Sequence, residues 1–245
     1  MSPDRAASAA KRSLKALSRP AADFDARRYF RGTDGLRFYN IGAAATRGLA
    51  RSIVLSQRGE WTVAEGVLFA QRMIVDPHLE VKSVGIEVLA RYRREFTPAL
   101  LATVKRWLAK GHAANWATTD AICGLLIGPL LVAQPKLIPA VARWTSHRNM
   151  WVRRASAVGL IPAVRRGITL DAAYQVASQL HGDREDLIQK AVGWMLREAG
   201  KADDRRLERY LRANGPSIPR TTVRYAIERF PPPVRRALLE ATRMR

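Results

Sequence analysis

The chain has 245 residues and a mass of 27.3 kDa, with 47% hydrophobic and 26% charged side chains. That supplies enough apolar material for a substantial core, excludes wholesale disorder, and suits one large domain or at most two small ones. Lys plus Arg is 42 against 21 Asp plus Glu, a net charge of +21 that favours a polyanionic partner. The excess is mostly arginine, 34 against 8 lysines, which base composition of the genome can produce in part, so charge alone leaves the partner open.

Helical periodicity dominates, and no stretch alternates apolar and polar residues between hairpin signals. In chain order, start and stop signals predict helices over 5–18, 23–31, 46–57, 62–74, 79–94, 98–110, 115–132, 136–146, 149–164, 170–180, 184–200, 203–213, 219–229 and 233–243. Residues 1–20 read as a basic helix loosely attached to a single domain over 21–245. Met1-Ser2-Pro3-Asp4-Arg5 opens no apolar segment of the kind that heads a secretory signal. The longest apolar run, Ala121 to Ala133, is 13 residues with Pro129 inside it, where a bilayer span needs about 20. A cytoplasmic protein is expected, with no membrane partner.

A weak internal repeat underlies the helices. Val81-Lys82-Ser83-Val84, Val152-Arg153-Arg154-Ala155 and Ile188-Gln189-Lys190-Ala191 resemble one another, and aligning Lys82, Arg154 and Lys190 gives spacings of 72 and 36 residues. A period near 36 with two helices per unit indicates an α-solenoid, each unit covering its neighbour's apolar face. The unit between centres on 118 and puts Asp120 where the others carry Val84, Ser156 and Val192.

That carboxylate is the most informative residue in the chain. Trp116 and Asp120 stand one helical turn apart on one face. No acidic residue follows Asp120 until Asp171, while Lys136, Arg143, Arg148, Arg153, Arg154, Arg165 and Arg166 intervene. A lone carboxylate in such surroundings is expected to stay ionised. An ordinary first-turn Asp, stabilised by the helix dipole, reads equally well from spacing alone. Trp116, Trp151 and Trp194 each lie on or beside the second helix of a unit; aromatic faces among Arg and Lys suit contact with sugars and bases beside phosphates. Trp61, Trp107 and Trp144 read as core.

Other chemistries find little support. Cys123 is the single cysteine, which excludes an intrachain disulfide and a thiolate zinc cluster. His78, His112, His147 and His181 are isolated, without metal-ligand spacing. Neither a phosphate-binding glycine loop nor a nucleophile elbow is present. No metal and no cofactor are expected.

Three segments carry a resemblance: Asn115-Trp116 through Asp120, Asn149-Met150-Trp151-Val152-Arg153-Arg154-Ala155, and Asp186-Leu187-Ile188-Gln189-Lys190-Ala191-Val192-Gly193-Trp194 through Arg197-Glu198. Leu36-Arg37-Phe38-Tyr39-Asn40-Ile41-Gly42 is a looser fourth. Over about residues 27–230 the sequence resembles the bacterial DNA alkylation repair glycosylases of the AlkD type. The resemblance implies an all-α, right-handed α-solenoid of HEAT-like repeats with a concave basic cleft. It implies a monofunctional glycosylase that excises positively charged N3- and N7-alkylpurines from duplex DNA in base excision repair, without base flipping. It carries over Asp120 as the catalytic carboxylate, Trp116 and Trp194 as aromatic neighbours of the lesion deoxyribose, and Arg154 as a cation of the cleft. Arg47, Arg148, Arg153, Lys190 and Arg197 are expected to meet DNA. Gly42-Ala43-Ala44-Ala45-Thr46 departs from the family by lacking the side chains often placed against DNA there, for which Arg47 compensates.

The chemistry follows from the lesion. Alkylation at N7 or N3 puts a positive charge on the purine, which then departs neutral and needs little protonation. The remaining demand is the oxocarbenium character of the sugar, which one carboxylate stabilises while orienting water. Tryptophan faces add a cation–π contribution of about 0.5–2 kcal/mol each. The rival expectation is a non-catalytic helical scaffold that binds nucleic acid or an acidic protein. A monomer without an obligate protein partner is expected.

Overall fold

Proline placement explains where the expected helices hold together and where they split. The computed structural model describes residues 1–21, 29–30 and 35–243, and every regular element among these is helical apart from one backbone bridge between Arg37 and His78. The helix expected over 23–31 lies largely outside the described residues. The stretch expected over 149–164 is two helices, Met150–Val158 and Ile161–Val164. Pro162 has no N–H to give the carbonyl four residues back, and the longer helix stops at that residue, Val158. Likewise the stretch expected over 115–132 is α-helical at Trp116–Ile122, makes a π-turn at Cys123–Ile127, and resumes as Gly128–Ala133. Pro129 withdraws the N–H that Leu125 would have used, and the π-turn occupies that place. The whole helical run Trp116–Ala133 is 18 residues at mean hydropathy 1.6, five longer than the apolar run counted in the sequence. By length and composition it could cross a membrane, but half of it is buried inside the protein as a core helix.

Packing divides the chain into two compact units, Met1–Leu126 and Ile127–Arg245. The first contains α1 (Pro3–Ala16), α2 (Gly42–Ser56), α3 (Val63–Ile74), α4 (Leu79–Ala90), α5 (Ala99–Ala109) and α6 (Trp116–Ile122). Here α4 is central, packed against α3, α2 and α6, with Phe69, Met73, Ile74, Ile86 and Leu89 fully enclosed. A side chain at Gly85 would come within 2.6 Å of Met73 Cβ, so the glycine lets α4 lie against α3. The amino-terminal helix is not loosely attached. Ala6, Ala7, Ala10 and Leu14 are buried, Arg72 of α3 bonds Asp4 at 2.6 Å, and Lys11 reaches Asp76 at 3.1 Å. Alanines on its inner face let α1 sit close to α3.

The second unit contains α7 (Gly128–Ala133), α8 (Ile138–Ala142), α9 (Met150–Val158), α10 (Ile161–Val164), α11 (Leu170–Leu180), α12 (Asp186–Ala202), α13 (Asp204–Asn214), α14 (Arg220–Ala226) and α15 (Pro232–Ala241). Its hub is α12, which contacts α9, α10, α11, α13 and α14. Gly193 makes the α12–α14 approach possible: a Cβ there would lie 2.7 Å from Thr222 O and overlap Tyr225. Glu198, 2% exposed, binds Arg165 Nε at 2.8 Å and Lys201 Nζ at 2.6 Å. Burial pushes its carboxyl upward, but hydrogen bonds and charge from Arg165 and Lys201 outweigh that and hold it below the ordinary value.

The repeat is visible in the spacing of hydrogen-bond partners. Arg153 bonds Asp183, Arg165 bonds Glu198, Thr145 bonds Gln179, Arg206 bonds Asp171 and Thr222 bonds Gln189 O, at separations of 30, 33, 34, 35 and 33 residues. In the first unit Lys82 reaches His112 O across 30 and Val63 N reaches Glu95 across 32. Each separation is one helix pair, as expected of a helical repeat fold.

Two outcomes are expected. Gly193→Ala should overpack the α12–α14 contact by about 1–3 kcal/mol and lower the melting temperature by several degrees in calorimetry. Glu198 stabilises the fold fully above the ordinary value of 4.5 and loses that contribution as pH falls through its lower folded-state value. Melting temperature below pH 4.5 should therefore fall more steeply in the wild type than in Glu198→Gln.

Candidate active site

Asn115 starts α6. Its side chain, 1% exposed, accepts from Thr118 N at 2.8 Å, the ordinary office of an N-cap. Thr119 Oγ1 donates to Ala113 O at 2.8 Å, and Thr118, Thr119 and Ile122 are buried. With that side of the helix turned inward, the stripe one turn apart faces out: Trp116 is 38% exposed, Asp120 is half-buried and Gly124 is exposed. Trp116 is held from both ends. Its ring stacks on Phe30 at 5.0 Å and 11°, and its Nε1 donates to Tyr29 O at 3.3 Å. The π-turn begins three residues after Asp120.

This arrangement revises the register that singled out Asp120. Val84, Ser156 and Val192 are all buried, whereas Asp120 is not. By exposure Asp120 matches Ser83 of α4, both half-buried, an offset of 37 residues. The carboxylate therefore stands on an outward stripe and is not a charge forced into a core position.

Behind α6, Lys82 of α4 is 7% exposed and donates through Nζ to Ile74 O at 2.6 Å and His112 O at 2.8 Å. Burial pulls its amine down to about 8, against a partly compensating pull from Asp76. Glu80, also buried, accepts from the backbone N–H of Tyr39 and Asn40 at 3.0 and 2.8 Å. It thereby fixes the turn at Asn40, whose φ of 57° is left-handed, and sets Tyr39 flat on His78 at 4.0 Å. His78 in turn bonds Asp76 at 2.9 Å. Arg47 is exposed on α2.

In the second unit Arg154 is 5% exposed and donates to Leu187 O, in the first turn of α12. Lys190 stands one turn before Trp194 on that helix and pairs with Asp186 at 2.6 Å; Arg154 acts electrostatically on it. Trp194 is half-buried, as is Trp151, while Trp61, Trp107 and Trp144 are buried in the core as expected. Arg148 is exposed. Arg153 was expected at the DNA, but its guanidinium holds Asp183 at 2.6 Å, His147 O at 3.0 Å and Arg148 O at 3.0 Å. Arg197 bonds Glu228 and lies 3.9 Å from Glu198. Lys82, Glu80 and Glu198 are the buried charged groups whose contacts the sequence reading did not anticipate. For Lys82 the signal was present, since it aligns with Arg154.

A sequence profile of the DNA alkylation repair enzyme family matches residues 10–230. A solved structure described as a predicted DNA alkylation repair enzyme from Enterococcus faecalis has the same fold, with a TM-score of 0.76 at 16% identity over 88% of this chain and 98% of its own. No curated protein matches the chain significantly. With nine-tenths of its length matched to that profile and its helical repeats shared with that structure, the chain belongs to the family of DNA alkylation repair enzymes.

Proposed function

We propose that the protein is a monofunctional DNA glycosylase that hydrolyses the N-glycosidic bond of positively charged N3- and N7-alkylpurines in duplex DNA. The observation that carries this reading is the outward stripe of α6, where a carboxylate stands one turn from a braced, exposed tryptophan. Asp120 stabilises the sugar cation as the C1′–N bond lengthens, and its oxygen orients the water that attacks C1′. As the bond electrons return to the alkylated purine, its positive charge passes to the sugar and the base departs neutral, so no general acid is required. Trp116 offers its electron-rich face to the same cation. Trp194 and Arg154, in the second unit, are assigned to binding of the DNA substrate.

Arg47 and Arg148, both exposed, are assigned to phosphates. Lys190 and Arg197 are paired with Asp186 and Glu228, whose side chains are 60% exposed; such pairs are worth about 1 kcal/mol or less, and a phosphate can displace them. Arg153, spent on Asp183 and two carbonyls, supports the Arg148 backbone instead of meeting phosphate first. Reading damage from the backbone, without rotating the base into a pocket, needs no base-shaped cavity and tolerates bulky adducts. The protein acts as a monomer in the cytoplasm, without cofactor.

Asp120→Asn should leave affinity for methylated duplex within about twofold while release of free 7-methylguanine falls by about a hundredfold or more. Trp194→Ala should lose excision without losing its melting transition. Salt-sensitive duplex binding with no base released by the wild type would instead make the chain a non-catalytic DNA binder.

A further inference from the structure

We propose that Lys82 is a positioning residue for α6: its ammonium clamps the 111–115 loop and so sets where Trp116 and Asp120 stand. The contacts form an unbroken path. Nζ binds Ile74 O, an unpaired carbonyl at the carboxyl end of α3, where the helix dipole favours a cation. It also binds His112 O, in the loop that follows α5. The next residue, Ala113, accepts through its carbonyl from both Thr119 Oγ1 at 2.8 Å and Asn115 N at 2.7 Å. Asn115 then caps α6. Three residues of a four-residue stretch, 112, 113 and 115, are thus fixed by side-chain bonds, and Lys82 supplies the one that ties them to α4.

A buried ammonium is an expensive way to hold helices together; an apolar side chain of similar length would fill the space at lower cost. Burial draws the amine down to about 8, with Asp76 opposing and Lys11 reinforcing that shift. What the charge adds is direction: it fixes one carbonyl relative to α3 and α4. The second unit repeats the device. Arg154, 72 residues on, donates to Leu187 O and so fixes the first turn of α12, the helix that carries Lys190 and Trp194. In both cases a buried cation on one helix pair sets the start of a helix that presents a tryptophan.

The activity part of the test rests on Asp120 being the reacting group; the structural part does not. Lys82→Met, Lys82→Arg and wild type are compared by amide hydrogen exchange over 116–122, by melting temperature, by duplex affinity and by single-turnover release of 7-methylguanine. Lys82→Met should exchange at least about tenfold faster at the start of α6. It should excise about a hundredfold more slowly with duplex affinity within about twofold, because an ångström of misplacement costs that much. Lys82→Arg should recover most of both, since arginine does this work at Arg154. In an Asp120→Asn background, Lys82→Met should cost no further activity. If Lys82→Met melts below assay temperature, Lys82→Gln carries the same comparison. Unchanged exchange over 116–122, or wild-type excision in the variant, would overturn the clamp. Absence of base release by the wild type would overturn the glycosylase reading alone, leaving the exchange measurement to decide Lys82.

Discussion

A buried cation donating to a main-chain carbonyl one helix pair away is the interaction on which the placement of α6 and α12, the helices of Trp116 and Trp194, depends. Helical repeats give each unit a flat apolar face, and apolar contact by itself is tolerant of sliding, because it scales with area and has no direction. Hydrogen bonds are directional and, when buried, costly to leave unmade. Lys82 on His112 O and Arg154 on Leu187 O therefore supply registry that leucine and valine do not. Thr222 on Gln189 O does the same between α14 and α12.

α6 shows how a short helix acquires two characters. Its inner side is committed to Thr118, Thr119 and Ile122, and the buried Asn115 cap prevents it from fraying or rotating. Once that side is fixed, the residues one turn apart on the other have no choice but to face out. The π-turn that follows widens the helix where Pro129 cannot complete an ordinary turn, and it begins three residues after the carboxylate. Half of the apolar run that α6 begins is core, and Trp116, Asp120 and Gly124 line the side of it that is not.

Much of the fold was legible because helix start and stop signals are local. The spans 62–74 and 170–180 differ from the observed helices by no more than a residue. Errors came where backbone chemistry acts inside a periodic run: Pro162 split one helix, and 136–146 proved to be a five-residue helix flanked by 3₁₀ turns. Asp120 was found for a reason that needed correction, since strict 36-residue spacing put it in a buried register that its exposure contradicts. Repeats drift by a residue, and only burial reveals the phase. Pairing is likewise invisible in a sequence. Arg153 reads as one more surface cation until Asp183, 30 residues away, turns up against it. The amino-terminal helix reads as peripheral for the same reason, because Asp4 and Lys11 find their partners 68 and 65 positions downstream, in α3 and just beyond it.

The receiving end of each clamp is a peptide oxygen, and every amino acid has one. His112 and Leu187 share nothing as side chains, yet they serve the same purpose. Donor positions are therefore chemically restricted while acceptor positions are free to drift, so mutational tolerance along the chain should be lopsided within each repeat. An architecture wired in this way can keep its geometry through extensive sequence turnover.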